Sequence, residues 1–342
     1  MTRSSLIPLI LAVVAIIVSL MLGRYGAYLA HVVAIAAIGA MSLNLLNGWC
    51  GQINFAQAAL LGVGAYTAGN FGNAGWDVFS LLAAGIASAL AAVLIGLPAL
   101  RLRGLYFAIA TLAAQFIFEY LFKFAEPITH GVSGLLIQPM RLFGRVIDTD
   151  QSYAVLAICL LLLTWFFMTW IRRTDLGRAF LVVRENEVVA RGMGINVPQT
   201  KMWAFLISGF FAGIAGGLMG FTDRLAHPEA FGMGLSVDYI AMIIVGGLGS
   251  LTGSLLGAAF VSLLPEAIQR FGEAFGIANQ LSALREMAFG LLIILFLIFE
   301  PRGLSAIFGK ANVQRMMARF LRRPTNPLRD QAKNQPKWRS VE

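Results

Sequence analysis

Charge is scarce in this 342-residue chain: Asp, Glu, Lys and Arg make up 13% of it, against 58% hydrophobic residues. Soluble domains carry about a quarter charged residues, so the composition excludes an ordinary soluble domain and points to the interior of a bilayer. Cysteine is almost missing. Cys50 lies beside a Gly-rich turn and Cys159 inside an apolar run, which implies neither a disulfide framework nor a metal site. Of the three histidines, none has a second His, Cys or carboxylate at ligand spacing, and His31 reads as an interfacial residue. No GxxxxGK[ST] string occurs, because Gly303 to Lys310 holds five residues between its glycines; this chain alone cannot cradle nucleotide phosphates. The spans also lack mid-depth ionisable clusters, which argues against an ion-coupled carrier. They lack Asp and His at catalytic spacing, which argues against an intramembrane enzyme and calls for no cofactor.

What is present is a series of long apolar runs, far longer than the roughly ten residues of a barrel strand. The expected fold is an all-α polytopic membrane protein. Leu6 to Leu22 reads as a retained first span, long for a signal peptide and without a clear cleavage pattern. Tyr28 to Leu46 returns, and Asn47 to Tyr66 interleaves Gly48, Gly51, Gly62 and Gly64 with Gln52, Asn54 and Gln57. Val78 to Leu100, Leu105 to Phe122, Ala154 to Ile171 and Met202 to Thr222 follow. Trp165 and Trp170 are interface anchors, Glu119 and Lys123 a local ion pair, and Gly216 and Gly220 a face for tight helix contact.

Parity then decides the next segment. The tail from Lys310 to Glu342 holds nine Lys or Arg and two acidic residues, a bias that belongs on the cytoplasmic side. To place it there, Tyr239 to Leu264 must break into an inward and an outward leg at Gly246 to Ser250, with Leu281 to Phe299 as the last descent. The expectation is about ten transmembrane segments with both termini inside. One membrane domain covers 1–308, and a basic tail 309–342. The net charge of +9 sits largely in this tail and the interior loop, where it sets orientation and meets membrane lipid rather than nucleic acid.

The interior loop, 172–201, is the most charged stretch between spans. Ala179, Val182, Val183, Val189, Ala190 and Met193 fall near one helical face, with Arg184, Glu185, Glu187 and Arg191 elsewhere and Asn186 breaking the stripe. Amphipathicity alone fits a connector resting on the membrane as well as a docking element. Within or beside the spans, the uncharged polar residues Asn44, Gln52, Asn54, Gln57, Thr111 and Gln115 suit either the lining of a solute path or interhelical hydrogen bonds.

Five strings, Met41 to Ala68, Arg101 to Gln115, Thr174 to Phe205, Ile244 to Ala258 and Phe299 to Leu304, together resemble the branched-chain amino acid permease family of bacterial ABC importers, specifically the longer of its two permease types. The resemblance implies an inner-membrane subunit that pairs with a second, homologous permease and rests on two ATP-binding cassette ATPase subunits. It also implies a periplasmic substrate-binding protein that delivers the cargo. Gly177, Arg178, Arg184, Glu185, Asn186, Glu187 and Gly194 would then form the cytoplasmic coupling region. Asn54, Ala56, Gln57 and His130 depart from the family's usual Ser, Gly, His and Gly, so urea, short amides and aromatic acids stand beside leucine, isoleucine and valine as cargo. The competing reading is a stand-alone channel or facilitator for a small neutral solute.

Overall fold

The computed structural model describes residues 23–274 apart from 103, 143 and 144, and beyond them five isolated positions, 290, 291, 294, 303 and 304. The expected first span, the last span from Leu281 and the basic tail lie outside the described residues, apart from those isolated positions. Helix dominates. In order, α1 is Gly23–Asn44, α2 Gln57–Asn73, α3 Asp77–Gly96, α4 Leu105–Phe124, α5 the single turn Glu126–Thr129, α6 Asp150–Ile171, α7 Asp175–Glu185, α8 Glu187–Gly192, α9 Val197–Asp223, α10 Met233–Gly246 and α11 Leu251–Ala274. Four two-residue strands form β1 (Leu135–Leu136), β2 (Arg141–Leu142), β3 (Arg145–Val146) and β4 (Leu225–Ala226).

Among the described residues seven helices are long and apolar enough to cross a membrane, by length and composition. The protein is therefore an all-α polytopic membrane protein. α2, at 17 residues, spans about 25 Å at 1.5 Å per residue. It packs between α3 and α9, with α4 and α10 alongside, so its short length meets protein rather than lipid. α9 is the pillar: 83% of its most apolar window is buried, against 28% for α4 and 33% for α6. Those two turn Leu105, Tyr106, Ile117, Leu163 and Phe166 outward, as helices facing lipid or another subunit do.

Small residues set how closely the pillar is approached. A Cβ on Gly216 would collide with the carbonyl of Leu61 on α2, so the expected tight face at Gly216 and Gly220 is where two backbones nearly touch. The predicted break is also real. α10 ends at Gly246, Gly247 and Gly249 adopt positive φ (112° and 83°), and α11 leaves from Leu251. The two legs pack backbone to backbone, Gly257 lying against Met242 and Gly246 against Gly253.

The opposite ends of the helices carry short caps. β1 pairs antiparallel with β4, Leu135 opposite Ala226, and β2 with β3, Arg141 opposite Val146. Lys123 and Glu119 form the expected pair at 3.1 Å. His31 is buried, edge-on to Tyr28 with ring centroids 5.2 Å apart, where α1 packs against α6.

Candidate functional site

The segment between α6 and α9 folds as two short helices because its polar residues cap them. Thr174 accepts from the Gly177 amide at 3.3 Å and starts α7. Asn186 leaves the helical region (φ −162°, ψ 116°) and accepts from the amides of Val188 at 2.8 Å and Val189 at 3.3 Å, which starts α8. Asn196 does the same for α9 through Gln199. A side-chain cap of this kind satisfies amides that the first turn leaves open, so Asn186, which interrupts the apolar stripe, is the corner between two helices.

Two of the glycines expected in this region have geometric reasons. A Cβ on Gly177 would strike the Ile171 carbonyl, so α7 can fold back tightly under α6 only with glycine there. Gly194 turns the chain out of α8 with φ +80°.

The charged residues divide into two groups. Arg178 and Glu185 are exposed, and Arg178 pairs with its neighbour Asp175. Arg184, though exposed, and the half-buried Glu187 reach back to the helix bundle. Glu187 meets Lys201 at 2.6 Å and Arg191 at 3.9 Å. The Lys201 ammonium is 2% exposed and also donates to the Ala99 carbonyl at 3.1 Å, at the end of the turn that follows α3. One buried cation thus ties α8, α9 and the end of α3 together.

Arg184 reaches from α7 to the C-terminal end of α1. There the helix widens into a π-turn, Leu45–Trp49, closed by Cys50 N–H to Leu45 C=O at 3.1 Å; such widenings recur where helices do work. The Arg184 guanidinium donates to the Gly48 carbonyl, and its stem packs on Gly51. The π-turn is bound in turn to the α10–α11 break. Trp49 Nε1 donates to Gly249 C=O at 3.0 Å, Gly249 N–H donates to Asn44 Oδ1 at 2.8 Å, and Asn44 Nδ2 donates to Ser254 Oγ at 2.7 Å and Ser250 C=O at 3.0 Å. Gly303 closes against Gly247 on the far side. A continuous chain of contacts therefore runs from α7 through the end of α1 to the broken pair.

Beside it, Cys50 is buried in the connection between α1 and α2. Burial pushes its thiol up to about 12, with Lys201 opposing and Glu187 adding to the shift.

The six polar residues expected within the spans are all buried. Gln57 Nε2 donates to Gly39 C=O and Ser42 Oγ at 3.2 and 3.0 Å. Gln115 accepts from the Ala59 amide at 2.9 Å and donates to Phe231 C=O at 2.9 Å. Thr111 Oγ1 accepts from the Phe55 amide at 3.0 Å, Asn54 Oδ1 from the Ala56 amide at 3.0 Å, and Gln52 donates to Cys50 C=O at 3.4 Å. Asn44, Gln57, Thr111 and Gln115 thus fasten α1, α2, α4 and the α10–α11 break to one another, while Gln52 and Asn54 bond within the connection between α1 and α2. Among the described residues Gln57 Oε1 and Asn54 Nδ2 have no hydrogen-bond partner. Sequence reading passed over Lys201 as a site residue, although a lysine near the positive end of a helix dipole needs a carboxylate nearby and so gave a signal.

Compared with known proteins, residues 25–297 match the family model described as the branched-chain amino acid transport system permease component. The high-affinity branched-chain amino acid transport system permease protein of Salmonella typhimurium is 31% identical over 290 residues, 77% of this chain and 65% of that protein. Its Escherichia coli counterpart is 30% identical over the same extent. The chain thus spans less than two thirds of these relatives' length. A ribose import permease of Haemophilus influenzae is 34% identical over 113 residues, 30% of this chain and 34% of that protein. No solved structure matches.

Proposed function

The chain belongs to the branched-chain amino acid transport system permease family, and from that premise we propose that it is the permease subunit of an ATP-driven importer for branched-chain or similar hydrophobic amino acids. It works in the inner membrane beside a second, homologous permease. The energy comes from two ATP-binding cassette subunits, and the cargo from a periplasmic binding protein.

The observation that supports this reading is the two-sidedness of α7–α8. Its back is held by Glu187–Lys201 and by Arg184 on Gly48, while its front presents Leu181, Val188, Val189 and Met193 exposed, with Arg178 and Glu185 among them. An exposed apolar ridge carrying charges of both signs suits a soluble partner. A back anchored by a buried ion pair suits a lever that must move as one body. Closure of the ATPase pair on nucleotide would displace this unit, and the Arg184–Gly48–Gly249 contacts would carry the displacement to the broken pair.

Within this reading Arg184, Glu187, Asn186, Gly177 and Gly194 shape and anchor the lever, and Arg178 and Glu185 touch the ATPase. The test is co-purification of the assembled complex with Arg178→Glu, Glu185→Lys and the double variant. The expected result is at least about tenfold weaker ATPase association, in keeping with charge reversal at an interface, and no change in the permease's own thermal unfolding. ATPase association as strong as that of the unaltered chain, or amino-acid flux through liposomes holding this chain alone, would overturn the proposal.

A further inference from the structure

Where α6 ends and α11 begins, a cavity of about 440 Å³ opens between Trp165, Thr169, Arg172 and Arg173 on one side and Ser250, Leu251 and Thr252 on the other. Both arginines are exposed, and among the described residues neither has a carboxylate partner. Arg172 rests its guanidinium over the Trp49 ring, 5.9 Å from the centroid, which fixes it at the cavity without neutralising it.

The opposite wall adds donors. Ser250 Oγ accepts from Gly253 N–H at 3.1 Å, while the first-turn amides of Leu251 and Thr252 have no acceptor within the helix. Two guanidinium forks are the planar, multi-donor groups that suit phosphate oxygens, and they set the charge of the cavity at about +2; the helix end adds to it. The position narrows the source of the phosphate. Trp165 and Trp170 mark an interface, and Phe166, Trp170 and Leu163 are exposed on the same end of α6. A ligand here meets a bilayer rim on one side and cations on the other.

We propose that this cavity binds the phosphate headgroup of an anionic phospholipid of the inner leaflet, Arg172 and Arg173 holding the phosphate and the acyl chains lying along the outer face of α6. Basic pockets between helices at the cytoplasmic side are suited to such headgroups. The lipid would fill the space between α6 and the turn that joins the broken pair. It binds the permease directly, whatever the cargo or the ATPase.

The test is native mass spectrometry of the full chain released from nanodiscs of phosphatidylcholine with about one fifth phosphatidylglycerol, a content that gives the leaflet a negative surface. The expected result is retained phosphatidylglycerol on the unaltered chain and little retained phosphatidylcholine. Arg172→Gln/Arg173→Gln should lower retention by about fivefold per arginine removed, and Arg172→Lys/Arg173→Lys, which keeps the charge but loses the forks, should retain more than the Gln pair and less than the unaltered chain. Arg101→Gln, which removes a cation from a different turn, should change nothing. Equal retention by the Gln pair, an equal loss with Arg101→Gln, or equal retention of the two lipids would each overturn the proposal. Displacement of the lipid by millimolar inorganic phosphate would overturn the lipid assignment in favour of a free anion. A Gln pair that does not fold leaves the decision to the lipid comparison and Arg101→Gln on otherwise intact chains.

Discussion

Lys201 is the residue on which the inner end of the bundle turns. It is 2% exposed, its Glu187 partner 17%, and removal of one member of so enclosed a pair leaves the other charge without compensation. Breaking such pairs costs about 3–5 kcal/mol; Arg191, at 3.9 Å from Glu187, offsets part of that here. Lys201→Met is thus expected to lower the unfolding temperature of the purified permease by several degrees, and Lys201→Met with Glu187→Leu to recover part of the loss. Strict additivity of the two changes in a double-mutant cycle would show that the pair is not coupled. Cys50 allows a second check. Burial raises its thiol from an ordinary 9.0 to about 12, so the folded state holds a proton that the unfolded state releases first. The stability this contributes is fully present below pH 9 and is lost as pH rises from there to about 12. At pH 8 the thiolate fraction is about one in ten thousand. Maleimide should leave Cys50 unlabelled in the folded protein and modify it after denaturation; rapid labelling of the folded chain at pH 8 would contradict its burial.

Among the elements, helices α1, α3, α4, α6 and α9 were legible because apolar runs of about 20 residues leave few alternatives, whereas α2 lay half outside the Gly- and amide-rich stretch Asn47 to Tyr66. The break between α10 and α11 was legible from charge parity together with the clustered glycines at Gly246 to Gly249. The bonds of that break were not. Asn44 and Gly249 lie about two hundred positions apart, and nothing local in either stretch says that one side chain will hold the other's backbone. The same holds for the six buried polar residues: type and depth were readable, but path lining and interhelical bonding use the same groups. Here each of the six has a bond within the protein, while among the described residues the buried Gln57 Oε1 and Asn54 Nδ2 have no hydrogen-bond partner. Asn44→Ala removes three bonds at the break at once. Its expected cost is about 1–3 kcal/mol for the stranded Gly249 amide, with faster hydrogen exchange at Gly249 and Ser250. Exchange unchanged at those amides would mean that the break holds itself. The contact between α2 and α9 gives a parallel case. Gly216→Ala must separate two backbones and should cost about 1–3 kcal/mol as overpacking does, whereas Gly234→Ala, with open space around it, should cost nothing measurable in the same thermal melts.

For the molecule as a whole, every statement about direction depends on which side of the bilayer α7–α8 occupies. The described helices alternate without interruption: α1 ends at the π-turn, α2 leaves it, α3 returns to Ala99, α4 leaves, α6 returns to Arg172, α9 leaves, α10 returns to the break and α11 leaves. The ends grouped by bonds, Gly48, Ala99, Glu187, Lys201 and Gly249, are the ends this alternation places on one side. That side carries Arg101, Arg172, Arg173, Arg178, Arg184, Arg191 and Lys201, and an excess of cations in short connections marks the cytoplasm. The opposite side carries the β1–β4 pairing and the Arg224–Asp148 contact. Single cysteines at exposed positions on the two sides decide the matter, since Val188 is 68% and Leu136 75% exposed. In a background with Cys50 and Cys159 replaced by Ala, Leu136→Cys should react in intact cells with a maleimide that cannot cross the inner membrane. Val188→Cys should react only in inverted vesicles, or on addition of a permeant reagent. The reverse pattern would put the ridge of α7–α8 out of reach of any ATP-hydrolysing subunit, and with it would go both the lever and the inner-leaflet lipid.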